Sequence, residues 1–307
     1  MLQKPLDRSP SIPAVPTQNI RSLIQRPRLH NGAQRTANLI FHALKSYPKM
    51  MLRDRNLPPF IHPHMVFSDA EGTSMEPLTN CLSLVHMTSS PAESTRKLFW
   101  KNVHWECERL YTEYNTLTRW QLLAAMQALS IYLIIRLDEG ETEYNDFDLL
   151  LLSTVTVMAK RLGERTADQG SGHIRTPWKD WVFQESTRRL CVIYQVVNML
   201  VYFDPAAICD HQTDIPISSL PARKQLWEAG DEIAWRVEKA RESVGNTTFG
   251  MAVDGELVRI SQNDISCYGG VIVQNTSSNR QIANWEDWCS GMDDMGGLVM
   301  LAASLVG

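Results

Sequence analysis

The chain has 307 residues, 44% hydrophobic and 21% charged, with a net charge of −4 at pH 7. That is ordinary globular composition, with enough apolar mass for one large core or two modest ones. It excludes a membrane span, because the longest apolar candidate, Leu122–Leu137, is broken by Gln127, Ser130 and Arg136. Met1–Ala14 carries Lys4, Asp7 and Arg8 and has no apolar h-region, so it does not read as a signal peptide.

Charge is uneven. Residues 1–60 hold ten Lys/Arg against two Asp/Glu, a net of +8, so the remainder sums to −12 within the overall −4. A basic arm on an acidic body has the charge to touch nucleic acid or an acidic partner; the simpler reading is a solvated N-terminus. Pro5, Pro10, Pro13, Pro16 and Pro27 interrupt residues 1–30, which read as a disordered basic segment.

From Asn31 a helix is expected. Ala33, Ala37, Ile40, Leu44 and Tyr47 share one face, and Pro48 stops it. The prolines of "YPKMMLRDRNLPPFIHPHM" predict an extended arm. "SPAE" (Ser90–Glu93) reads as a capping box opening a helix to about Tyr114. "TRWQ" (Thr118–Gln121) repeats the pattern before Leu122–Leu137, which is apolar on most sides and belongs at the centre of the fold. Asp146 is placed to cap "FDLLLLSTVTVMAKRL". A loop spans Gly163–Arg175, and Thr176-Pro177 opens a helix running to about Phe203.

Another helix is expected over about Ala222–Glu242, with Leu226, Ala229, Ile233, Val237 and Ala240 as its stripe. Asp254-Gly255 between apolar alternations predicts a short hairpin. "YGGVIVQNTSSN" reads as loop plus strand, and a last helix follows Asn284. The expected fold class is all-α: a single large multi-helix domain of seven or eight helices, with an extended Pro-rich arm and one small β-hairpin.

His62 and His64, two apart in "PPFIHPHM", have metal-enzyme spacing, but no third ligand stands at a recognised distance, although Asp69, Cys81 and His86 are conceivable. Their apolar neighbours favour an arm docked in grooves of the helical body. Cys81, Cys107, Cys191, Cys209, Cys267 and Cys289 come no closer than 18 residues, which rules out a CxxC knuckle or redox pair and suits a reducing compartment. No nucleotide-binding glycine loop, GxSxG or HExxH occurs. Glu106 with Glu108, and Asp293 with Asp294, are too close along a helix to face one another. Glu185 stands i,i+3 and i,i+4 from Arg188 and Arg189, as local salt bridges do. Nine tryptophans read first as core packing and second as an aromatic-lined pocket. No catalytic, cofactor-binding or metal-ligating residue is assigned.

Six segments occur in order: "HALKSYPKMMLRDRNLPPFIHPHM", "EPLTNCLSLVHM", "LLAAMQALSIYLIIRL", "WKDWVFQESTRRLCVIYQVVNML", "LPARKQLWEA" and "WCSGMDDMGGLVMLAASLV". Together they resemble the C-terminal regulatory region of fungal transcription factors of the binuclear zinc cluster class, including regulators linked to secondary-metabolite gene clusters. The resemblance runs from about Ala33 to Val306. It implies an all-helical regulatory domain over 31–307 and a nuclear protein controlling transcription through dimer contacts, other transcription factors or coactivators, or inducer sensing. It implies no catalysis and no cofactor. The family's DNA-binding head uses six cysteines and two zinc ions, whereas this chain has no cysteine before Cys81. A regulator without its own zinc cluster is therefore expected, with direct DNA binding in doubt. It would act through a partner factor, or be a piece of a longer product. Gly245–Ala283 fits the resemblance least. Two alternatives stand beside it: a homodimerising interaction module using Met292–Val306, and a small-molecule domain whose pocket includes His62, His64 and His86.

Overall fold

In a computed structural model of the chain, the described residues are 31–53, 56–67, 75–90, 92–139, 145–167, 177–201, 215–217, 219–241, 248–260 and 285–306. The 1–30 segment and "YGGVIVQNTSSN" lie outside them. The helices are α1 (Asn31–Met50), α2 (Pro63–Phe67), α3 (Glu76–Met87), α4 (Glu93–Glu113), α5 (Arg119–Glu139), α6 (Asn145–Ala167), α7 (Pro177–Leu200), α8 (Lys224–Trp227), α9 (Glu232–Arg241), α10 (Trp285–Cys289) and α11 (Asp294–Val306). Strands β1 (Thr248–Met251) and β2 (Leu257–Ile260) pair antiparallel. The fold is all-α with one small hairpin, and eight of the described helices have ten residues or more.

Helix α5 is the axis. Its start is written locally: the Thr118 N–H donates to Gln121 Oε1 (2.9 Å) and the Gln121 N–H to Thr118 Oγ1 (3.3 Å), so the capping box forms. Every residue from Leu122 to Ile134 is buried, because α1, α3, α6 and α7 pack around it. Among the described helices it alone is long and apolar enough to cross a membrane, yet 83% of its apolar window is buried inside the fold. Its apolarity serves helix neighbours on all sides.

Several boundaries differ from the sequence reading, each for a tertiary or local reason. Pro48 does not stop α1, which runs through it to Met50. A proline in the last turn costs only one backbone bond, and Tyr47 and Met51 on either side are buried. "SPAE" does not form a capping box. Ser90 Oγ accepts from the nearer Ala92 N–H (3.4 Å), and α4 starts only at Glu93 with Ala92 as an uncapped boundary residue. Asp146 lies inside the first turn of α6 rather than capping it, since the helix begins at Asn145, and α6 extends to Ala167, into the expected loop.

Helix α3 was not anticipated as an element. Its signal is Glu76-Pro77 at the helix start, acid and proline in the first turn. The arm is not extended throughout, because Pro63–Phe67 closes one helical turn. Proline at the first position of that turn is compatible with it.

The single helix expected over Ala222–Glu242 is two, α8 and α9, turning at Gly230. Helix α9 also faces the other way. It buries Trp235, whose ring lies 5.9 Å from Trp181 of α7, and leaves Ile233 77% and Val237 48% exposed. The indole of Trp235 seats against Trp181, and that aromatic contact sets the rotation of the helix.

The hairpin forms as expected. Gly255 takes φ 80°, Asp254 Oδ1 accepts the Glu256 N–H (3.1 Å), and Met251 pairs with Leu257. Helix α11 lies along α1 and touches α7, burying Met295, Leu298, Val299 and Ala302. The first and last described helices are therefore neighbours.

Candidate functional site

The arm that carries His62 and His64 is held by main-chain hooks. Gln127 of α5 donates Nε2–H to the Phe60 carbonyl (2.8 Å), and Arg189 of α7 donates to the Pro59 carbonyl (2.9 Å). Ser186 places its hydroxyl 3.6 Å from Met65 Sδ. Phe60 and Ile61 are fully buried, as the apolar run predicts.

His62 is buried and both ring nitrogens are engaged. A carbonyl only accepts, so the 2.9 Å contact with the Trp227 carbonyl fixes the proton on Nε2. Nδ1 then accepts the His64 N–H at 3.2 Å. The ring stands edge-on to Trp227, centroids 4.7 Å apart at 90°. Burial pushes its pKa down to about 4, against the Trp227 hydrogen bond that favours the charged form; His64 and Arg189 add to the depression. Neutral His62 is thus a peg in the wall of the fold. His64 stacks obliquely on Trp178 at 4.7 Å. His86, on α3, does not line the cavity that His62 and His64 line.

Behind the arm lies a buried charge cluster. Arg189 is fully buried and donates to Glu185 Oε1 (2.9 Å) and Asp293 Oδ2 (2.5 Å), with its guanidinium 4.0 Å from the Trp227 ring centre. Glu185 accepts the Ala222 N–H (2.8 Å) and an Arg188 N–H (2.8 Å). Asp293 accepts the Met295 N–H (3.0 Å) as α11 begins. The Glu185–Arg188–Arg189 spacing gives the expected local pairs. Asp293 and the Pro59 carbonyl, far away in sequence, complete them. One guanidinium thus joins the arm, α7, the segment before α8 at Ala222 and the residue that leads into α11.

A second cluster links α4, α5 and α6. Arg136 meets Asp148 (2.5 Å), both fully buried, and lies 3.7 Å from Glu139. Glu139 also accepts from Trp100 Nε1 and Arg96 Nε, each at 2.7 Å. The sequence offered one signal for both clusters: an ionisable residue set in an apolar helical run, as Arg136 is in "IYLIIRL".

The other candidates disperse. Glu106 pairs with Arg109 (2.8 Å) while Glu108 faces His104 (3.3 Å), so the two carboxylates do not cooperate. Asp293 turns inward and Asp294 stays exposed. Cys81, Cys107 and Cys191 are buried, and burial pushes the Cys81 and Cys107 thiols up. Cys209 and Cys267 lie outside the described residues. Most described tryptophans pack against separate helices rather than around one pocket.

Where the arm, the end of α1, the α8–α9 turn and the start of α11 meet, a cavity of about 630 Å³ opens to solvent. It is lined by His62, His64 and Trp227, with Asp293 and Asp294 on the α11 side. Its volume falls within the range of small-molecule sites.

The chain is 22% identical over 287 residues to the transcription factor gsfR2 of Penicillium aethiopicum, across 88% of this chain and 66% of that protein. The chain thus spans just under two thirds of that relative's length. No family model matches it, and no solved structure matches it. The sequence is thus related to that of a fungal transcription factor.

Proposed function

We propose that the chain is a nuclear transcription regulator, of the kind that controls a fungal secondary-metabolite gene cluster, working through macromolecular contact and not through catalysis. The observation that carries this is the similarity to a fungal transcription factor along 88% of the chain. The site chemistry agrees with it. Arg189, Glu185, Asp293 and His62 spend their polar atoms on holding segments together. Partners are other transcription factors, coactivators or a second copy of the chain. Since no cysteine precedes Cys81, no zinc-cluster contact with DNA is assigned to these residues, and the DNA address comes from a partner or from further chain.

The dimer reading through Met292–Val306 gains little from the fold, because α11 spends its apolar face on α1 and α7. The test is a tethered reporter. Fused to a heterologous DNA-binding domain, the chain is expected to raise or lower transcription from the matching operator. An intact, nuclear fusion that leaves transcription at the level of the DNA-binding domain alone overturns the proposal.

A further inference from the structure

Among the described residues, the charged groups that line the cavity beside the arm have one sign: Glu228, Asp293 and Asp294 line it, and no described Lys or Arg side chain does. Asp293 is offset from behind by Arg189. Glu228 has only an exposed partner, Lys224 at 3.7 Å, which solvent screens. Asp294 is exposed at the mouth and has no ion-pair partner among the described residues. The imidazole of His62 adds no positive charge at neutral pH, since burial holds it uncharged. The same field reaches Tyr47, whose hydroxyl is pushed up by burial and further by Asp294 and Asp293. The rest of the lining is apolar or aromatic: Trp227, the arm prolines, Met50 and Ile61.

An anion entering this site would meet the exposed carboxylates of Asp294 and Glu228. A neutral apolar molecule would leave them unused and partly desolvated. A cation on a carbon skeleton satisfies both halves of the wall. We propose that the cavity binds a small organic cation, a protonated amine with a flat or apolar body, its ammonium at Asp294 and Glu228 and its skeleton on Trp227 and the arm prolines. Such a ligand would bridge the arm, the α8–α9 turn and the start of α11; Arg189 already ties the first to the last.

Gly230 offers a clean way to occlude the site. It lines the cavity, and a Cβ built there meets no atom within 4 Å, so a side chain grows into open space without forcing the backbone. The experiment uses the purified chain, with 2-phenylethylammonium as probe and phenylacetate as its anionic counterpart. Binding is read by saturation-transfer NMR and calorimetry at pH 7, and thermal melts verify that each variant is folded. The amine is expected to bind and phenylacetate not. Asp294→Asn and Gly230→Phe should each weaken the amine at least tenfold. The proposal is overturned if the amine does not bind, if phenylacetate binds as well, or if both folded variants bind the amine as the parent does. The inference goes beyond the regulatory reading, and its failure would leave the reporter result untouched.

Discussion

Arg189 and Asp293 are 104 residues apart in sequence and meet at 2.5 Å, with the arginine fully buried. Burying charges is costly, and such a contact is retained only where the remaining donors are also satisfied. Here they are, by Glu185 and the Pro59 carbonyl. Arg189→Ala is therefore expected to destabilise the fold by about 3–5 kcal/mol, because it strands Glu185 and Asp293. Arg189→Lys should recover little, since a point charge cannot reproduce the fork. Urea denaturation measures both, and an alanine variant within 1 kcal/mol of the parent contradicts the hub.

The Arg136–Asp148 pair invites a double-mutant cycle. Asp148→Ala alone removes the closest carboxylate from a fully buried guanidinium and should cost about 3–5 kcal/mol. Arg136→Met combined with Asp148→Leu removes both charges and should regain most of that loss. If the double variant is as unstable as the sum of the two singles, the pair is not the source of the cost.

His62 sets a pH dependence. Its folded pKa, about 4, lies below the ordinary 6.5, so between these values the unfolded chain binds the extra proton. Its contribution is intact above about pH 6.5 and is lost as pH falls toward 4, on the order of 3 kcal/mol in all. His62→Gln keeps a donor for the Trp227 carbonyl but does not titrate. The difference in stability between parent and variant should therefore shrink, then reverse, as the solution is acidified. A constant difference from pH 7.5 to 4.5 would remove His62 from the account.

Gln127 tests the arm itself. Gln127→Leu leaves the Phe60 carbonyl without its donor inside the core, at about 1–3 kcal/mol. The expected signature is local. Amide exchange should speed up most in residues 60–67, with α6 little changed. A uniform increase across all helices would mean that the arm has no independent seating.

Helix α9 gives a contrast within ten residues. Trp235→Ala should cost about 3–5 kcal/mol, whereas Ile233→Ser at 77% exposure should stay within about 0.5 kcal/mol. Thermal melts of the two variants decide which face points inward, and a costly Ile233→Ser would restore the stripe read from the sequence.

The sequence showed most where a few adjacent residues decide the outcome. Thr118 and Gln121 cap α5 by touching each other, and Asp254-Gly255 turns the hairpin by its own backbone preferences. The apolar character of Leu122–Leu137 on all sides placed it at the centre for a composition-level reason. The readings that missed were those where a distant partner outvotes local preference. Pro48 sits inside a helix because neighbouring Tyr47 and Met51 are buried, and α9 turns to bury Trp235 against Trp181 of α7. The site was half visible. Glu185 with Arg189 is a local spacing, while Asp293 and the Pro59 carbonyl approach from opposite ends of the chain. The cavity has no sequence signature, because four separate segments build its walls.

The lengthwise contact of α11 on α1 has a bearing on synthesis. A nascent polypeptide emerging from the ribosome presents α1 long before this cover exists. The part of α1 that α11 covers stays wet, or in the care of a chaperone, until α11 is translated. A premature stop ahead of Asp294 would thus expose the first helix as well as delete the last, and leave a product fit for degradation.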